Sequence, residues 1–136
     1  MGKIKQVLLV DDSKATNFFN KTIINKSDCV DEILVAENGA EAIQIIKSGT
    51  IPEIIFLDIN MPIMNGWEFL SEIQKHNDQL KQTIVILMIG APLNPEEEKV
   101  AYGFLQVKEF KEKMLTTKII KELARKYFHK ECASVQ

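Results

Sequence analysis

The chain has 136 residues, of which 46% are hydrophobic and 26% charged, and a net charge of −2 at pH 7. That is enough for one domain with a real core. It excludes the basic surface of a nucleic-acid binder and the polybasic patch of a membrane-surface protein. No apolar run is long enough to span a bilayer, and Met1-Gly2-Lys3 leads into a strand rather than a signal-peptide stretch, so a cytoplasmic location is expected. Cys29 and Cys132 have neither metal-ligand nor CxxC spacing. They fit a reducing cytosol, with a Cys29–Cys132 disulfide left open.

The first strand is expected over Lys5 to Val10, an apolar run that ends in Asp11-Asp12. Asp12 or Ser13 can cap the helix that follows, with Ala15, Phe18, Phe19, Thr22 and Ile23 as its core stripe. Core packing is the favoured reading of Phe18-Phe19 over a binding patch. Glu32 to Ala36 reads as a second strand. Asn38 caps a helix that turns Ala42, Ile43 and Ile46 inward, and Ser48-Gly49 closes it. Ile54 to Leu57 is a strand buried on both faces and runs into Asp58. Asn65-Gly66 is a tight turn feeding a helix with Trp67, Phe69, Leu70 and Ile73, and Gly66 supplies a backbone shape other residues resist. Trp67 reads as core or boundary rather than as a ligand-stacking surface. Ile84 to Ile89 is the fourth strand. Asn94 caps the next helix, with Pro95 at its first position and Glu96-Glu97-Glu98 in its first turn, where acids suit the helix dipole. Phe104 to Val107 is expected as a fifth strand. A last helix is expected from Lys111 to Phe128, with Leu115, Ile119, Leu123 and Tyr127 buried, then a frayed tail over residues 129–136. His76 and His129 read as surface residues.

Five β-α units in succession predict a parallel sheet with helices on both faces, a flavodoxin-like (βα)5 sandwich with strand order 2-1-3-4-5. That order makes strands 1 and 3 neighbours, about 4.8 Å apart. Asp11, Asp12 and Asp58 then converge just beyond the carboxyl ends of the strands, where open α/β sheets place their chemistry. Three carboxylates so close repel one another, and a hard divalent cation removes the conflict. Helix capping is the plainer explanation for one such acid, and it accounts poorly for all three.

These residues resemble the receiver domain of two-component response regulators. The resemblance rests on Leu9-Val10-Asp11-Asp12-Ser13, on Phe56-Leu57-Asp58-Ile59-Asn60-Met61-Pro62 with Met64-Asn65-Gly66, and on Lys108 after the expected fifth strand; it covers Val7 to about Phe128. It implies a stand-alone receiver in which Asp58 is the phosphoacceptor. The donor would be a sensor histidine kinase, a histidine phosphotransfer protein or a small acyl phosphate. It implies Mg²⁺ held by Asp12 and Asp58 directly, by Asp11 through water and by the backbone carbonyl of Asn60. It implies that Lys108 neutralises charge on the transferring oxygens. Output would pass through protein contacts, on a face that receivers commonly build from helix 4, strand 5 and helix 5. The protein would be a monomer or weak dimer without direct nucleic-acid or membrane contact.

Two positions depart from the family pattern. The family places a Thr or Ser switch hydroxyl at the end of strand 4; counting back from Leu93-Asn94-Pro95 puts Gly90 there, counting forward from the strand puts Met88 or Ile89 there, and none has a hydroxyl, while Lys108-Glu109 stands where the family has Lys-Pro. A cis bond before a non-proline residue costs about 3 kcal/mol, so Lys108-Glu109 is expected to be trans. The departures keep a second reading open, a receiver-fold binding module that works without phosphorylation. A metal-dependent phosphatase acting on small molecules is disfavoured, because Asn60 stands where a second catalytic acid would be needed.

Overall fold

The computed structural model describes residues 3–75 and 79–132; His76 lies outside the described residues. The elements are β1 (Ile4–Val10), α1 (Lys14–Ser27), β2 (Val30–Ala36), α2 (Gly39–Lys47), β3 (Ile54–Asp58), α3 (Gly66–Gln74), β4 (Ile84–Ile89), α4 (Pro95–Tyr102), β5 (Val107–Glu112) and α5 (Thr117–Phe128). All neighbouring strands pair in parallel, in the order β2-β1-β3-β4-β5. The expected flavodoxin-like sandwich is the observed fold.

Strand alternation divides the core in two. Leu8, Val10, Ile55, Leu57, Val85 and Leu87 face α2, α3 and α4, packing on Ile43, Ile46, Phe69, Leu70 and Ile73. Val7, Leu9, Ile54, Phe56 and Ile86 face α1 and α5, packing on Ile24, Ile120 and Leu123. Every residue of β3 is buried, so the strand that ends in Asp58 is held from both sides. Burying one such aliphatic side chain contributes roughly 1.5–3 kcal/mol.

Helix starts follow the capping residues. Ser13 Oγ accepts from Thr16 N, and Asn38 caps α2. Asn65 and Asn94 form capping boxes with Glu68 and Glu97, and Pro95 opens α4.

Several expectations are corrected. The buried face of α1 is Asn17, Asn20, Ile24 and Ser27, while Phe18 is 74% exposed and Phe19 40%. The asparagines take the inner face because buried backbone groups need partners there. Asn17 Nδ2 donates to the Asp11 carbonyl at 2.8 Å, and Asn20 Oδ1 accepts from Leu115 N at 2.9 Å. The fifth strand begins at Val107 instead of ending there, and α5 begins at Thr117. The sequence Lys108-Glu109-Phe110-Lys111-Glu112 has no continuous apolar run, since β5 is an edge strand whose charged side chains are partly solvated. Gly66 does not need an unusual φ. A Cβ there would lie 2.7 Å from the Asp58 carbonyl oxygen and 2.8 Å from Ile59 Cα, so glycine is required by close backbone approach.

Glu109 on β5 ties that edge to α5. It accepts hydrogen bonds from Lys126 Nζ at 2.7 Å and Tyr127 Oη at 2.6 Å. Burial alone would raise its pKa, but these bonds and the Lys111 ammonium outweigh burial and bring it to about 2. Beyond α5, His129 takes a left-handed φ of 53° and Lys130 N donates to Ala124 O. That bond and the link from Cys132 to Cys29 tie down residues 129–132, while residues 133–136 of the expected tail lie outside the described residues. His129 is exposed, as expected.

Candidate functional site

The register sets the site. Val10 pairs with Leu57, and Asp58 pairs with Met88. Asp11 and Asp12, just past the end of β1, thus come level with Asp58 at the end of β3. The three carboxylates each offer an oxygen within 4.8 Å of the others. Asp11 and Asp58 are buried, at 5% and 2% exposure, and Asp12 is exposed.

Each buried acid has a different surrounding. Asp11 Oδ1 accepts from Ser13 N at 2.9 Å. Burial pushes the Asp11 carboxyl above its usual range, aided by the charges of Asp58 and Asp12, while the Ser13 N–H and Lys113 pull it down. Asp58 Oδ1 lies 3.0 Å from Lys113 Nζ. Asp58 Oδ2 is buried with no hydrogen-bond partner.

The cation at the site is Lys113, not Lys108. Lys113 Nζ also lies 3.8 Å from Asp11 Oδ2. Burial works against its charge, but the hydrogen bond to Asp58 and the fields of Asp11, Asp58 and Asp12 win and raise its pKa. The loop that carries it is pinned on both sides: Lys113 N donates to Ile89 O at 3.2 Å, and Leu115 N to Asn20 Oδ1 at 2.9 Å. Between them Met114 takes a φ of 71°. Lys108 is exposed near the start of β5, at the irregularity where Val85 pairs with Val107 and Ile86 with Glu109. The four strand residues 109–112, about 3.3 Å each, separate it from Lys113 at the site. Lys113-Met114-Leu115 follows the strand end with the apolar residues that Lys108-Glu109 lacks, and this was the signal available in the sequence. No peptide bond among the described residues is cis.

A cavity of about 340 Å³ opens beside Asp58, lined by Asn60, Trp67, Met88, Gly90 and Lys113 among others. Gly90 is the first residue after β4, and a Cβ placed on it would meet nothing within 4 Å. Trp67 is half-buried at this boundary. The residues suit a hard divalent cation. An all-oxygen donor set, two of its carboxylates buried, leaves one buried oxygen, Asp58 Oδ2, without a partner. Asn60 borders the same space.

Comparison with known proteins agrees with this geometry. The family described as response regulator receiver domain matches residues 7–120. The chain is 39% identical over 97 residues to the chemotaxis protein CheY of Halobacterium salinarum, covering 71% of this chain and 72% of that protein. It is 34% identical over 97 residues to protein-glutamate methylesterase/protein-glutamine glutaminase 2 of Methanospirillum hungatei, covering 71% of this chain but 26% of that protein. It is 40% identical over 76 residues to the sensor histidine kinase CheAY of Helicobacter pylori, covering 52% of this chain and 9% of that protein. The chain thus spans a small part of several curated relatives. Among solved structures, a two component response regulator from Cytophaga hutchinsonii superposes with a TM-score of 0.83 at 34% identity, covering 94% of this chain and 99% of that one.

Proposed function

The chain belongs to the response regulator receiver domain family, and from that membership we propose that it takes a phosphoryl group onto Asp58 and signals through protein contacts. The donor is a sensor histidine kinase or a histidine phosphotransfer protein. An Asp58 carboxylate oxygen attacks phosphorus, the P–N bond of the phosphohistidine breaks, and imidazole leaves with its electron pair. The acyl phosphate on Asp58 later loses its phosphoryl group to water. Lys113, already 3.0 Å from Asp58, offsets charge on the transferring oxygens and orients the carboxylate. Asp11, Asp12, Asp58 and the Asn60 carbonyl would hold Mg²⁺, which supplies further charge neutralisation when bound.

The observation that carries this reading is the state of Asp58: buried, one oxygen on a lysine, the other unpartnered. Intact mass after incubation with acetyl phosphate and Mg²⁺ tests it. A single phosphoryl adduct is expected, absent from Asp58→Asn and from a metal-free sample. An adduct that persists in Asp58→Asn would overturn the assignment. The domain acts in the cytoplasm as a monomer or weak dimer, without nucleic acid; among the described residues no helix is long and apolar enough to cross a membrane.

Gly90 favours a second reading, a receiver-fold module whose binding does not depend on phosphorylation. Coupling requires contacts that differ between two states, and position 90 has no hydroxyl to offer one. A Cβ at Gly90 would meet nothing within 4 Å, so a side chain can be introduced there. Under this reading, phosphorylated wild type shows no change in amide exchange over α4, β5 and α5, and Gly90→Thr gains one. Changed exchange in the wild type supports the leading reading instead.

A further inference from the structure

We propose that Cys29 and Cys132, the chain's two cysteines, form a thiol–disulfide exchange site that reversibly staples the segment after α5 to the start of β2. The pair joins residues 103 apart in sequence, with Cα atoms 5.0 Å apart. The site lies at the amino end of the sheet, where Ile4 N donates to the Cys29 carbonyl at 2.8 Å. Asp58 ends the central strand at the opposite, carboxyl end of the sheet, so this site is independent of the phosphoacceptor reading.

The two sulfurs have different surroundings, and the difference assigns their roles. Cys29 is fully buried in the core between the sheet and α1 and α5. Its Sγ lies 3.5 Å from the Ser27 carbonyl, and its N–H donates to Ser27 Oγ at 3.2 Å. In the reduced state the Ser27 carbonyl gives the Cys29 S–H an acceptor, so the core tolerates a thiol there. Cys132 is half-buried and packs on the rim of the same core with Ile23, Tyr127 and Phe128. The left-handed turn at His129 and the Lys130 N to Ala124 O bond reverse the chain just before Cys132 with contacts that do not involve sulfur. A preformed return of the chain favours closure of this pair over links to other molecules.

Cys29 is sealed inside the core and Cys132 is half-buried at its rim, so a small reagent reaches Cys132 first and Cys132 is the entry point. In oxidation the Cys132 thiolate attacks a low-molecular-weight disulfide, forms a mixed disulfide and releases one small thiolate. Cys29 then gives up its proton and attacks Cys132 Sγ, expelling the second small thiolate. The protein loses two protons and two electrons, and the small disulfide becomes two thiols. Reduction reverses these steps, with a small thiol attacking Cys132 Sγ and Cys29 leaving.

The full chain is equilibrated anaerobically across a series of reduced and oxidised glutathione, quenched by alkylation, and measured by intact mass and peptide mapping. The expected result is one transition between a doubly alkylated dithiol and a monomer with a Cys29–Cys132 link. The linked form should melt higher by on the order of 10 °C, because the cross-link restricts a long loop in the unfolded chain. Cys132→Ser, at the more exposed partner, should melt like the reduced wild type under every condition. Both redox forms should take the acetyl phosphate adduct equally. Two free thiols at every poise, glutathione adducts or intermolecular dimers without the internal link, or equal melting of the two forms would each overturn the proposal.

Discussion

Replacing Lys113 with alanine should slow acquisition of the phosphoryl group by Asp58 about 10²–10³-fold, the cost of removing one preorganised hydrogen-bond donor from a site of developing negative charge, whereas Lys108→Ala should change it less than about twofold. The contrast follows from position. Lys113 Nζ lies 3.0 Å from Asp58 Oδ1, and its loop is held by Ile89 and Asn20. Lys108 is solvated at the far end of the same strand. The measurement is the initial rate of adduct formation by intact mass, at matched acetyl phosphate and Mg²⁺. Lys113→Ala also leaves Asp58 and Asp11 buried without a cation. Its melting temperature should therefore fall in metal-free buffer and recover with Mg²⁺ more than that of the wild type. Equal rates for the two alanine variants would remove Lys113 from the mechanism.

Gly66→Ala should cost on the order of 2–4 kcal/mol of stability, read as a lower denaturant midpoint at unchanged slope. The added methyl would lie 2.7 Å from the Asp58 carbonyl oxygen and 2.8 Å from Ile59 Cα, both backbone atoms that cannot swing aside. Relief requires moving either the start of α3 or the end of β3. Gly66 N donates to Ile59 O at 2.8 Å, so both movements loosen the chain around Asp58, and the phosphorylation rate should fall with stability. Gly90→Ala is the control. Its methyl meets nothing within 4 Å, and its midpoint should stay within about 0.5 kcal/mol of wild type. Equal midpoints for the two variants would show that the α3 junction gives way without cost.

The strands that end in Asp11-Asp12 and Asp58 were legible because they are buried on both faces. Continuous apolar runs, closed by acids and followed by capping residues, leave few other readings. The alternation of strands and helices then implied the sheet order, and the sheet order implied the meeting of the three carboxylates. At the edges the same logic failed. The α1 helix carries Phe18 and Phe19 outward and buries Asn17 and Asn20, because the carbonyl of Asp11 and the amide of Leu115, the latter distant in sequence, need hydrogen bonds inside. The β5 strand has solvent on its outer edge, and its charged residues hid its extent by five residues. That error placed the lysine of the site at 108 instead of 113.

Local apolar pattern and capping chemistry thus determined the central strands, the helix starts, the fold and the aspartates, since each depends on neighbours within a few residues. Tertiary structure decided four features: which lysine faces Asp58, which face of α1 is buried, why glycine is required at 66 and that Cys29 meets Cys132. Each depends on which distant backbone or side-chain groups the sheet register brings within reach.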